Sequence, residues 1–549
     1  MIDMIMDNKT KENMDYFTVP TLKEKTKGPS LTPLSQFSSK FPFLSLVIFT
    51  YVLISLLSPF SHSLAEDNNI EGSVNYSCNS SSFDCLYQSL GQRNCVGTNG
   101  FFSQINILSI VNRDIQPHAF LIEYIDSAGK TVTSLNTNIE SSRKLDLIIN
   151  DLVSIDDQIG SVCISTSAPG SKWGGGNTIY KVKSKQPFGA TFDFALHYPF
   201  QPPRTGSVSM PLNTYHLGSG PKGTVANWIS ITDSNRDGAP LHGFIRFIND
   251  QGGVISESPV TIPDGGRIDI PAHEGIAGTE NLDAVGLFEF NPFSETQDEL
   301  ENPYYVTNTR YFYACPASQC NDFRAAMVVP LRPAFSGATF GGVSTLDGFL
   351  TVVELNNIGQ STGNAELDVF NGSGMPTGTI YQPLAEKMTR HIVVNKNFAL
   401  GLLSSESVGS AMMKPSNAEA KISAISFFYK LDNFGRLVNA FAAPFSGPGG
   451  NSQISEFNSF IGQSNIAEVF NPSLSNLDFT LTYLDYLGVP VFKTSASLLP
   501  FGSIRIPAQT LPHNTLGTIL LESDSSSLVF RNYVEKPNEY TLPFIGAPR

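Results

Sequence analysis

An all-β chain, four antiparallel β-sandwiches in tandem behind an export signal, is what these 549 residues predict. Three observations carry the expectation. A six-residue pattern recurs four times at a domain-sized period. Alternating, strand-like runs fill the intervals, and helical periodicity is nowhere sustained. The composition, with Gly 45, Pro 35 and Phe 39 against Trp 2, suits short strands joined by many turns. The recurring pattern is a β-former, an apolar residue, Asp or Asn, any two residues, then Gly. It occurs at 124–129, 247–252, 369–374 and 483–488. Asp or Asn bonds the backbone of a tight turn and Gly supplies a positive φ. The glycines Gly129, Gly252, Gly374 and Gly488 lie 123, 122 and 114 residues apart (252−129, 374−252, 488−374). A period that long means tandem domains, not a solenoid of small repeats.

Residues 1–40 are polar, with Lys23, Lys25, Lys27 and Lys40; residues 41–60 are almost wholly apolar; Ser63, Leu64 and Ala65 follow. A basic region, an apolar run and small residues at −3 and −1 make a secretory signal over 1–65, cleaved after Ala65. Its long basic region suggests Met14 as an alternative start. The competing reading is an uncleaved N-terminal anchor, since the apolar run is about long enough to span a bilayer. Either way, residues 66–549 are expected outside the cytoplasm, secreted or at the cell surface.

Residues 66–100 form a cysteine-containing segment with Cys78, Cys85 and Cys95; Cys163, Cys315 and Cys320 complete the six. In an exported chain they suggest disulfides. Without histidines beside them they do not suggest zinc. Cys315 and Cys320 flank a hairpin-sized loop and are expected to pair. Cys78 with Cys85 is the next most local choice, which leaves Cys95 with Cys163. Six cysteines allow 15 pairings, so these last two stay open.

The four repeats are placed at 101–205, 206–335, 336–450 and 451–549. Each has an alternating strand upstream of the turn, closed by Asn or Asp in three copies: 106–112, 227–233 and 465–471. The third copy departs from this, at 349–356. Downstream, Gly160, Gly286, Gly409 and Gly517 each open a further strand, and Tyr180, Tyr313, Tyr429 and Tyr533 mark a later one. Seven or eight short strands per repeat, with turn signals at regular intervals, make a sandwich with one polar and one core face per strand. The segments 211–215 and 456–460 lie just before their repeats and are candidates for an added strand. The array resembles tandem immunoglobulin-like or fibronectin-like sandwiches of bacterial secreted and surface proteins over about residues 101–549. That resemblance implies extracellular binding or spacing by a rod of domains, and carries over no functional residue.

The chemistry is sparse. A net charge of −14 without a basic cluster excludes nucleic acid as a partner. Gly359, Ser361 and Gly363 match a nucleophile elbow, but a strand follows where the elbow needs a helix, so the match is chance. Asp233, Asn235 and Asp237 resemble the first half of a calcium loop; Phe244 stands where the bidentate Glu belongs, so Ca²⁺ is the one candidate cofactor. One loop varies sharply between repeats. Its first copy holds Trp173 among glycines, and its second the acidic set Glu295, Asp298, Glu299 and Glu301. An exposed Trp stacks on sugars or anchors a protein, and loops of sandwiches carry recognition. The expected partner is therefore an extracellular protein or glycan, with membrane contact only through an N-terminal anchor. No acid–base set marks an enzyme. An adhesive or scaffolding role is the expectation, with carbohydrate binding or carbohydrate activity as the alternative.

Overall fold

The computed structural model describes residues 93–549 except 167–170, 187–188, 216–222, 275–282, 294–301, 317–321, 332–336, 396–400, 417–419 and 509–510. The expected export signal, Cys78, Cys85 and Cys320 lie outside the described residues.

The chain is all-β, with antiparallel sheets. The first sandwich runs β1 (Arg93–Asn99), β2 (Ile105–Asn112), β3 (His118–Asp126), β4 (Thr131–Ile139), β5 (Lys144–Ile148), β6 (Ile159–Thr166), β7 (Trp173–Gln186) and β8 (Gly189–Pro199). The second runs β9 (Val208–Asn213), β10 (Val225–Asp233), β11 (Leu241–Asn249), β12 (Val254–Ile262), β13 (Arg267–Pro271), β14 (Val285–Pro292), β15 (Tyr304–Tyr313) and β16 (Phe323–Val329). The third runs β17 (Thr339–Ser344), β18 (Phe349–Asn357), β19 (Gly363–Asn371), β20 (Pro376–Leu384), β21 (Thr389–Val393), β22 (Val408–Pro415), β23 (Ile422–Leu431) and β24 (Leu437–Pro444). The fourth runs β25 (Ser452–Asn458), β26 (Ser464–Phe470), β27 (Leu477–Asp485), β28 (Pro490–Leu498), β29 (Ser503–Pro507), β30 (Leu516–Ser523), β31 (Val529–Lys536) and β32 (Tyr540–Ile545), with β33 (Ala547–Pro548) beside β25.

The strand order is the same in all four. One sheet is β1-β6-β3-β4, repeated as β9-β14-β11-β12, β17-β22-β19-β20 and β25-β30-β27-β28; the other is β5-β2-β7-β8, repeated as β13-β10-β15-β16, β21-β18-β23-β24 and β29-β26-β31-β32. Each pair of sheets encloses its own apolar core. In a constant-type immunoglobulin domain the first two strands share one sheet; here they lie in opposite sheets, so the connectivity differs. The first sandwich also begins earlier than expected. β1, from the cysteine-containing segment, pairs with β6 along its whole length. Cys95 sits opposite Cys163 in that pairing, and the two are bonded, with Cα atoms 4.0 Å apart. The segments at 211–215 and 456–460 contribute to first strands, β9 and β25.

The recurring turn closes the hairpin between third and fourth strands in every sandwich. Asp126 Oδ1 accepts from the N–H of Ala128 and Lys130, and Gly129 N donates to Asp126 O. Asn249, Asn371 and Asp485 do the same. The four glycines sit at φ 88, 87, 81 and 80°, the left-handed conformation only Gly adopts freely. The glycine that opens the sixth strand has another cause. Gly160, Gly286, Gly409 and Gly517 pair with Asp126, Asn249, Asn371 and Asp485. A Cβ there would fall 1.8–2.5 Å from the carbonyl of Ile125, Ile248, Phe370 or Leu484. The asparagines opening the second strand brace the preceding connection: Asn106 Nδ2 donates to Asn99 O and its Oδ1 accepts from Asn99 N. Asn227 and Asn465 act alike. The third copy departs in sequence because Thr351 does this work with its hydroxyl, towards Ser344.

The four sandwiches do not form the expected rod. Their last strands, β8, β16, β24 and β32, meet in a cycle: β8 with β16, β16 with β24, β24 with β32, and β32 with β8. Each joint contains an apolar cluster. Tyr311 and Phe323 pack into the first core; Met327 packs with Phe427; Phe441 with Tyr533; Tyr180 and Phe192 with Tyr540 and Phe544. The chain closes into a ring, held by burial of strand faces that a string of independent domains would leave to water.

Candidate functional site

The second and fifth strands of each sandwich present one equivalent cross-strand pair: Ser109 with Asp146, Ser230 with Asp269, Glu354 with His391, and Glu468 with Arg505. These positions gather most of the buried ionic chemistry at the joints. Between the first and second sandwiches, buried Arg267 bonds both oxygens of Asp269, at 2.8 and 2.9 Å. Its remaining donors reach across to Thr98 O and Gly160 O at 2.9 and 2.7 Å. Burial alone would lower its pKa, but Asp269 beside it holds the net above its ordinary value. Gly97 makes room: a Cβ there would meet the guanidinium at 2.4 Å.

The second and third sandwiches meet through Lys387, whose ammonium lies 2.5 Å from Glu289. Nearby, Glu354 accepts from His391 at 2.7 Å; burial pushes its carboxyl up, but His391 and Arg310 outweigh that and leave it below the usual range. Between the third and fourth, buried Arg531 donates to Pro444 O and lies 4.0 Å from Glu468, which bonds Arg505 at 2.8 Å and Tyr533 at 2.6 Å in the space left by Gly342. Between the fourth and first, Lys144 lies 3.3 Å from Asp146 and 3.0 Å from Glu456. Burial raises the Asp146 carboxyl, whereas the two carboxylates outweigh burial at Lys144 and hold its ammonium above its ordinary range. A buried charge left unpaired costs several kcal/mol, so Arg267, Lys387, Arg531 and Lys144, which reach across, act as joint-specific locks.

The residues that composition and spacing single out fall elsewhere. Trp173 is not in a loop. It opens strand β7, opposite Asn112, and is fully buried. Its indole meets Phe120 and Phe200 edge-on, with ring centres 5.7 and 5.3 Å away. The glycines beside it are strand residues that admit close neighbours. A Cβ on Gly175 would meet Ser109 O at 2.1 Å, and one on Gly176 Tyr198 O at 2.2 Å. The expectation of an exposed, sugar-stacking Trp173 is thereby overturned. Glu295, Asp298, Glu299 and Glu301 lie outside the described residues.

Asp233 is buried, and both its oxygens are engaged by backbone: Asn235 N at 2.9 Å and Gly265 N at 3.1 Å. Asn235 turns its amide nitrogen to Asp237 at 2.7 Å. Asn112, Asn357 and Asn471 hold the place of Asp233 in the other sandwiches and cap the same connection. Desolvation raises the Asp233 carboxyl to about 7. Cys315 is disulfide-bonded; its partner lies outside the described residues. Ser361 lies in a loop that leads directly into strand β19.

A cleft of about 80 Å³ opens among the first, second and fourth sandwiches, lined by His197, Phe200, Arg204, Leu331, Glu456 and Phe544. Burial lowers the pKa of His197 to about 3, with Lys144 adding to it, so its imidazole is neutral. Its Nδ1 lies 3.0 Å from Thr178 Oγ1. Ordinary ligand pockets hold roughly 300–1,000 Å³, so the cleft accommodates a few waters. The joint locks are the residues sequence reasoning missed. The signal for them was a charged residue at the same strand position in successive repeats, as at Lys144 and Arg267, which each open a fifth strand. No protein-family model matches this chain, and no curated protein matches it.

Proposed function

We propose that this chain is an exported, non-catalytic scaffold or adhesive protein of the cell surface, which presents its loops to an extracellular protein or glycan. The observation that carries the reading is where the buried charge goes. Arg267, Lys387, Arg531 and Lys144 all hold one sandwich to the next. Their buried polar chemistry goes into rigidity, which suits a platform. The Cys95–Cys163 bond fits an oxidising compartment. Carbohydrate binding loses its anchor, since buried Trp173 offers no stacking face.

Fractionation of the producing cells is the first test. The protein is expected outside the cytoplasm with its cysteines oxidised; a cytosolic protein with free thiols would overturn the reading. Incubation with a panel of polysaccharides is the second, and release of reducing sugar above the blank counts against the non-catalytic assignment.

A further inference from the structure

Among the fourth strands of the sandwiches, one edge lacks the protection its counterparts carry. β4, β12, β20 and β28 each close a sheet with only a third strand beside them. Such edges template pairing with another chain, and proteins blunt them with proline and charge. The registers align the four, because Ile139, Ile262, Leu384 and Leu498 all pair with the residue that opens the third strand. By that alignment β12 carries Glu257 and Pro259, β20 carries Pro376 and Pro383, and β28 carries Pro490 and Lys493. β4 reads Thr-Val-Thr-Ser-Leu-Asn-Thr-Asn-Ile, with neither proline nor charge.

We propose that β4 is the homodimer edge of this protein and pairs antiparallel with β4 of a second copy about a two-fold axis at Leu135. The sequence of the edge is self-complementary in that register. Thr133 faces Thr137 and Leu135 faces Leu135, on the side where Leu135 already packs partly against the first core. On the solvent side Ser134 faces Asn136 and Val132 faces Asn138. Cross-strand Thr–Thr and apolar pairs of this kind stabilise a sheet. The flanking charges agree. Lys130 and Glu140, just outside the two ends of the strand, are both exposed. In the same register Lys130 of one copy lies beside Glu140 of the other, twice per dimer. The copies carry a net −14 each, so an uncharged strand with complementary ends is where two of them meet without like-charge contact. The contact is isologous, as a two-fold dimer requires.

The chain itself supplies the test. Asn136→Pro copies Pro259 and Ser134→Lys copies Lys493, so each places at β4 a residue the same fold already accepts at that position. Sedimentation velocity on the purified protein is expected to show a species of twice the chain mass, lost in both variants while the melting temperature stays near that of the unaltered protein. Lys130→Glu alone and Glu140→Lys alone should each weaken dimerisation at least about tenfold, and the double variant should restore it. A monomer at every concentration, as a strand from a different protein at this edge would give, overturns the proposal. So does a dimer that survives Asn136→Pro, or a double variant weaker than both singles.

Discussion

Trp173 shows how a residue's neighbours in sequence mislead about its neighbours in space. Three following glycines suggested a flexible loop, but they are there so that β2 and β8 can close on β7. Trp173→Ala is therefore expected to destabilise the protein by about 3–5 kcal/mol, the cost of emptying a large aromatic site, read as a fall in denaturant midpoint. Little change would place the indole outside the core. Asp233 gives a prediction about pH. Its folded pKa, about 7, lies above the ordinary 3.8. The folded state thus holds a proton that the unfolded state has released, and stability must fall as pH rises from about 4 to about 7. A pKa displaced by one is worth about 1.4 kcal/mol. Asp233→Asn, which restores the residue type of the other three sandwiches, is expected to remove this slope from a plot of unfolding free energy against pH. An unchanged slope would assign it to another group.

At the scale of the element, the hairpin between third and fourth strands was legible almost atom by atom. Its chemistry is contained in six residues, so nothing distant had to be known. The same turn recurs where the repeat does not require it: Asp432 caps Phe434 and Arg436, and Gly435 sits at φ 74°. The tips of the repeated hairpins also touch the next sandwich, which sequence did not reveal. A Cβ on Gly129, Gly252 or Gly374 would fall 1.9, 2.3 or 1.9 Å from the carbonyl of Asp264, Glu386 or Pro500, whereas Gly488 has only Arg143 Cγ at 4.0 Å. Alanine at Gly488 is expected to cost about 1–2 kcal/mol, for the left-handed backbone alone. Alanine at Gly374 should cost more, because the joint must also open. Equal losses in thermal unfolding would mean that the tips do not bear on the joints.

At the scale of the whole molecule, the ring predicts cooperativity. Independent sandwiches on a string would melt separately. Sandwiches sharing apolar clusters at four joints should unfold together, giving a single calorimetric transition whose van't Hoff and calorimetric enthalpies agree. Several resolved transitions would argue against a closed ring in solution. The closing joint is unlike the others. It adds the chain's own end, where Arg549 Nη2 donates to Ser142 Oγ and Lys172 to Arg549 O.

Local chemistry was enough to announce an all-β chain, four repeats, their turns and the glycines that mark them. These features depend on residues close in sequence, or on an alternation with a period of two. The ring, the joint locks and the burial of Trp173 were decided in three dimensions. One trace was present: Ala325, Ala326, Met327, Val328 and Val329, and Ala440, Phe441, Ala442 and Ala443, are apolar on both faces. A strand of that kind must be covered on both sides. What covers it comes from another sandwich, about a hundred residues or more away, and no local pattern names that partner.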